Sequence, residues 1–162
     1  MRRTKTDPLL PAIESLESAL RTDQRAREHV WLDKVQRSLS HVAQAVKEHA
    51  VLAEAKDGLL GAMNEKTHSV RPTLDRRIND LHLAHVDLHE HVLEMKERVA
   101  ERLESKGNGW DRVFRMFRSL PADSHESLRQ EGERLVDLLR EHKESENKLL
   151  MDTINTDIGT GD

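Results

Sequence analysis

Three histidines stand where a helical protein would ordinarily place leucine. His49, His85 and His142 each fall on the apolar stripe of a different long helical segment. A buried imidazole costs free energy unless both ring nitrogens find partners, and a single metal ion satisfies one nitrogen on every ring at once. Further donors lie at helical reach: Glu54 follows His49 by five residues, His89 follows His85 by four, and Glu146 follows His142 by four. Residues four apart share a helix face, so His142 and Glu146 can serve one centre. Mixed imidazole and carboxylate donors suit iron, manganese or zinc. Such ligands on facing helices are a common way for a bundle to build a dinuclear site. The spacing therefore predicts a metal centre drawn from His49, Glu54, His85, His89, His142 and Glu146. The competing reading is a metal-free helical interaction module. In it the same imidazoles are structural or pH-responsive and hydrogen-bond to Glu54, Asp87 or Glu146. With 10 histidines in the chain, about two or three would fall on core faces by chance; one on each long helix, with carboxylates nearby, raises the metal reading, and the structural alternative stays open on spacing alone.

The elements that must position these residues are helical. The predicted fold class is all-α, an antiparallel up-and-down helical bundle of three long helices plus short ones. A short helix is expected over residues 8–21, where Leu9, Ile13, Leu16 and Leu20 share a face. The first long helix is expected over 24–57, with Trp31, Val35, Leu39, Val42, Val46, His49 and Leu52 inward, Trp31 as the largest core anchor, and Gly58 closing it. Residues 59–68 suit a helical turn. The second long helix, 72–106, opens with Pro72 in its first turn. Its stripe of Leu74, Ile78, Leu81, His85, Leu88, Val92, Met95 and Val99 alternates steps of four and three, as a bundle seam requires. Gly107 and Gly109 end it, and a short helix over 110–120 is expected to pack Trp110, Phe114 and Phe117 onto the bundle. Asp123 or Ser124 caps the third long helix, whose core face reads Leu128, Leu135, Leu138, His142 and Leu149, with Leu139 and Glu146 flanking. The organisation expected is an N-terminal segment (1–23), a bundle (24–155) and a tail (156–162) whose glycine-rich end frays.

These segments can be ranked in height at ~1.5 Å of rise per residue. Counted from their shared lower end, His85 and His142 agree to within a turn. His49 stands more than one turn too close to the upper loop unless its helix is extended past Gly58 toward Met63. The remaining histidines are expected at less central places: His82 and His91 on the boundary of the second helix, His125 exposed at a helix start, and His68 in a loop.

Composition narrows the function. The 162 residues suit one domain with a modest core, and 36% apolar against 35% charged residues fits neither a disordered nor a membrane chain. Aromatic residues are 2%, so the core must be aliphatic. A net charge of -4 argues against nucleic-acid binding. The absence of cysteine excludes disulfides, thiolate metal sites and cysteine nucleophiles. No signal peptide or membrane span is read, so a cytoplasmic protein without a membrane partner is expected. There is no Gly-x-Ser-x-Gly elbow, phosphate-binding loop, His-Glu-x-x-His or dinucleotide fingerprint. An enzyme acting on an organic substrate therefore has no motif in its favour. A carboxylate-bridged oxidase or catalase-like enzyme would need more core carboxylates than the pattern supplies.

The segment His-Ala-Val-Leu-Ala-Glu-Ala-Lys-Asp-Gly-Leu-Leu-Gly-Ala-Met at 49–63 resembles a segment of the hemerythrin-like (HHE cation-binding) family, especially its divergent bacterial members. Residues 71–88, with Pro72, Leu74, Leu81, His85 and Leu88, look like the family's following helix. His85 with His89 echoes a His-x-x-x-His pair. Residues 142–157, where Glu146 follows His142 by a turn, look like its last helix, and Asp157-Ile158-Gly159 resembles a recurrent ending. The resemblance spans about residues 25–160. It implies a four-helix bundle with a non-heme diiron site, used for oxygen or redox sensing, dioxygen binding or iron handling. The full family pattern has five histidines and two bridging carboxylates. Here only His29 or His41 precedes His49, and the carboxylate after His49 comes five residues on, so a single-metal site and a bundle without metal both stay open.

Overall fold

The computed structural model describes residues 7–22, 28–67, 72–104 and 125–158, with 64–67 and 155–158 as backbone only. Five helices are described: α1 (Leu9–Arg21), α2 (Glu28–Glu54), α3 (Leu59–Thr67), α4 (Pro72–Glu104) and α5 (His125–Ile158). The expected helix over 110–120, the loop residue His68, the caps at 123–124, the boundary between 23 and 24 and the tail residues 159–162 lie outside the described residues.

Helix α1 packs on α2 and α5, and α4 packs on the same two, so α1, α2, α4 and α5 close a four-sided ring. The short N-terminal helix thus supplies the fourth side. Ion pairs across the seams fix the directions. On α4 and α5, Arg77 meets Asp152 while Arg98 meets Glu131, so position rises on one helix as it falls on the other. Asp7 with His49 and Ser15 with Ser38 relate α1 to α2 in the same sense, and Arg102 with Glu28 and His85 with Glu54 relate α4 to α2. Ring neighbours are antiparallel, and the fold is all-α.

Each side is held by an aliphatic seam. All eight predicted inward positions of α4 are buried: Leu74, Ile78, Leu81, His85, Leu88, Val92, Met95 and Val99. Fully burying a leucine side chain contributes ~1.5–3 kcal/mol, and among the described residues Leu16, Leu32, Leu39 and Leu139 are wholly enclosed. Trp31 is buried as the anchor expected, while Leu52 is half-buried and Ala53 takes the inward place. On α5 the seam differs from expectation. Leu138 is 42% exposed, whereas Leu139 and Glu146 are buried. The four-three alternation runs Leu128, Gly132, Leu135, Leu139, His142, Glu146, Leu149, and a glycine and a glutamate hold two of its places. Gly132 is there for closeness: a Cβ on it would lie 2.6 Å from Leu20 Cδ2 and 2.9 Å from Met95 Cε.

At its upper end α2 breaks at Ala55–Gly58, and α3 resumes on the same side. The Gly58 amide donates to the Ala55 carbonyl (2.7 Å), and a side chain on Gly58 would drive into the carbonyl oxygens of Leu52 and Ala53. This extension past Gly58 supplies the height that α2 lacked on counting alone.

Candidate metal centre

The buried apolar side chains form two separate groups. The larger joins α1, α2, α4 and α5 and reaches up to Val46, Leu88 and Leu139. The smaller joins Ala53, Leu60, Met63, Leu74, Ile78, Leu81 and Leu149. Between them lies one polar layer of His49 from α2, His85 from α4, and His142 and Glu146 from α5, all at most 5% exposed. One donor atom of each lies within 4.8 Å of the others.

The carboxylate oxygen Glu146 Oε1 is the centre of the layer. His49 Nε2 lies 2.9 Å from it, His142 Nε2 3.5 Å and His85 Nε2 3.6 Å. Two further carboxylates set the rings from behind. Asp7 Oδ1 lies 3.1 Å from His49 Nδ1, and Glu54 Oε1 lies 3.0 Å from His85 Nδ1. Both carboxyls are held below their ordinary range. For Asp7, burial opposes the charge but the Lys143 ammonium and the Leu9 amide outweigh it. For Glu54, burial is outweighed by His82 and His85. An ionised carboxylate only accepts, so the Nδ1 atoms of His49 and His85 carry the protons and donate. Their Nε2 atoms face another carboxylate, that of Glu146. Acceptor facing acceptor is repulsive unless a proton or a metal ion stands between them.

The layer carries the marks of a cation site. His85 Nε2 and both nitrogens of His142 are buried without a hydrogen bond, a costly state for a polar atom. Nitrogen and oxygen ligands sit ~2.0–2.1 Å from a tetrahedral transition metal, which separates two ligand atoms by about 3.4 Å. The observed 2.9–3.6 Å brackets that separation. Burial opposes the Glu146 charge, but His142, His49, His85 and Lys143 outweigh it and hold the carboxyl far below the glutamate range. His85 is shifted up: burial disfavours its cation, and Glu146 and Glu54 more than compensate. The layer is therefore strongly cation-seeking. It can hold a metal ion through three imidazole nitrogens and one carboxylate oxygen, with hydrogen-bonded carboxylates fixing two of the rings. A cleft of about 600 Å³ between α4 and α5, walled by Arg77, Leu81, Asp87, Leu138 and His142, gives a route in from solvent.

Of the six predicted ligands, four meet in this layer. Glu54 is 41% exposed and stands behind His85, where its Oε1 also lies 3.0 Å from His82 Nδ1. It holds the His85 ring from behind instead of joining the layer, although with His82 and His85 it forms a second group of donors. His89 is half-buried and joins neither group. The α4 seam steps from His85 to Leu88 and then Val92, which leaves position 89 on the flank. His82 occupies the boundary position expected of it. His125 is not exposed as expected but half-buried, its ring 4.1 Å from that of Trp31.

Sequence reasoning missed Asp7 and Lys143. Lys143 Nζ lies 2.7 Å from Glu146 Oε2 and 2.7 Å from Asp7 Oδ2. A closed ring results, running Lys143, Asp7, His49, Glu146 and back to Lys143. The Lys143–Glu146 spacing of three was legible on a helix; the reach of Asp7 to His49, across 42 positions, was not. Asp7 Oδ1 also accepts the Leu9 amide at 3.0 Å and so fixes the start of α1. Among the described residues no helix is long and apolar enough to cross a membrane.

No family model matches the chain, and no curated protein or solved structure matches it either.

Proposed function

We propose that this protein is a metal-binding bundle of the hemerythrin-like kind, with iron as its metal, serving dioxygen or redox sensing or iron handling. One observation carries the reading: buried ring nitrogens from α2, α4 and α5 converge on a single buried carboxylate oxygen. His49, His85, His142 and Glu146 would hold the ion, and Asp7 and Glu54 would orient His49 and His85. Iron bound by three imidazoles and one carboxylate keeps open positions for a small ligand. The chain's residues do the rest. The two aliphatic groups on either side keep bulk water from the layer, the cleft beside His142 admits small molecules, and among the described residues no nucleophile with a partnering base accompanies the layer. The role is therefore binding or sensing and not turnover of an organic substrate.

The test is metal content by plasma mass spectrometry on protein from iron-supplemented cells, purified without a metal-affinity column, with His142→Ala beside it. Bound iron in the parent chain, lost by at least about 100-fold in affinity in His142→Ala while helical circular dichroism persists, is the expected result. A parent chain that takes no metal even after anaerobic reconstitution with ferrous iron overturns the proposal and leaves a helical interaction module with structural histidines. Another metal at full occupancy overturns the assignment of iron and keeps the centre.

A further inference from the structure

We infer that the centre holds one metal ion and not two, because the Lys143 ammonium occupies the place a second ion would need beside Glu146. This rests on the metal-binding reading above. In a carboxylate-bridged pair the two ions lie ~3.5–4 Å apart and each takes one oxygen of the shared carboxylate. Glu146 has already divided its oxygens in that way. Oε1 faces three imidazoles, and Oε2 lies 2.7 Å from Lys143 Nζ. The other carboxylate on that side is committed as well. Asp7 Oδ2 lies 2.7 Å from the same ammonium, while Oδ1 accepts from His49 Nδ1 and from the Leu9 amide. All four carboxylate oxygens are thus allotted, two of them to Lys143.

The ammonium is well placed to exclude a second ion. Its side chain is only 17% exposed. It stands as a charged donor between two carboxylates, 2.7 Å from an oxygen of each. A second ion would meet a fixed like charge within the layer. The opposite side gathers Glu54, His82 and His85, and an ion there would have to share His85 with the first. His85 Nε2 already faces Glu146, and Glu54 Oε1 lies 3.0 Å from the Nδ1 atoms of both His82 and His85, so the shared ring would have to bind through Nδ1. A second ion on that nitrogen would have to strip the proton from an imidazole that is itself a ligand. The sequence offered histidines and carboxylates enough for two ions; the geometry spends one lysine to make the second cation a permanent part of the chain.

Cobalt(II) titration of the full-length chain, followed by visible absorption and by plasma mass spectrometry after desalting, tests this. The expected result is one cobalt per chain in the parent and a second, weaker equivalent in Lys143→Glu, which replaces the cation with a donor. Two cobalt ions in the parent overturn this inference and leave the metal-binding reading intact. None in the parent overturns both. One ion in both proteins shows that Lys143 is not the excluding group and overturns the inference. Where circular dichroism shows Lys143→Glu unfolded, Lys143→Gln decides. It keeps a hydrogen-bond donor without the charge, and the first cobalt is expected to bind at least about tenfold tighter. Unchanged or weaker binding overturns the inference.

Discussion

The lower seam of the bundle and the polar layer above it obey the same geometry and do opposite things. Below, Leu88, Val92, Met95 and Val99 of α4 share one buried apolar group with Val35, Leu39, Val42 and Val46 of α2. One step further along each helix the same inward positions hold His85, His49, His142 and Glu146. The backbone makes no allowance for the change: the alternation of four and three runs through α4 without interruption. Position in a bundle decides only that a side chain is inward. Residue type decides whether that place stores folding energy or spends some of it on a charge-seeking site.

Substitutions should separate the two regions. The largest effect is expected at Glu146→Gln. It leaves three imidazoles and the Lys143 ammonium around a neutral amide, and removing one partner of a buried charged network costs ~3–5 kcal/mol. Denaturant unfolding of the metal-free protein reads that loss, and metal affinity should fall with it. Stability unchanged by this substitution would dissolve the distinction between the regions. Leu139→Ala, one turn below His142 and wholly buried, should cost ~2–5 kcal/mol through the cavity it leaves. Its metal stoichiometry should match the parent's; a lost metal would show that the seam and the layer are one cooperative unit.

The smallest expected effect is in pH, and its two arms have opposite signs. Glu146, Asp7 and Glu54 have lowered pKa values. Their stabilisation is present above the unfolded carboxyl range and is lost only as pH falls through the depressed values. His85 has a raised pKa. Its stabilisation is full below its unfolded value of about 6.5 and is lost as pH rises through the folded one. In chelator, the melting temperature should therefore decline as pH rises above about 6.5, while the lower seam contributes nothing to that slope. Saturating metal should flatten the alkaline arm, because metal binding selects the deprotonated ring. A slope that persists with metal bound would place its origin outside the layer.

The contrast also explains what could be read from the residues alone. Helix α4 was legible in full, because every inward place carries either an aliphatic side chain or a histidine that interrupts a run of them. Helix α5 was legible in outline only. Gly132 and Glu146 lie on its seam but do not look apolar, so Leu138 was read inward in place of Leu139. The four residues that meet were all found, since His142 and Glu146 share a turn and His49 and His85 break aliphatic stripes. The supporting groups divide by reach. Glu54 was named, but its service to His85 on another helix depends on how α2 and α4 register. His89 obeyed the same spacing rule as Glu146 and failed, because four residues forward of His85 the α4 seam has moved aside, whereas four forward of His142 the α5 seam arrives at Glu146. Asp7 lies in a stretch with no helical pattern, and only the closing of α1 onto α2 and α5 brings it to His49 and Lys143.

The division of the aliphatic core by a polar layer has a consequence for how the chain finds its native alignment. Seams built of leucine and valine repeat every seven residues, and two such helices can slide past one another by a full repeat at small cost. The layer removes that freedom. Moving α5 one repeat along α4 would set His142 and Glu146 against leucine, part the Lys143 ammonium from Asp7, and take Glu146 away from His49 and His85. The centre therefore acts as a vernier for assembly: of the several alignments that the aliphatic residues would accept, it marks one.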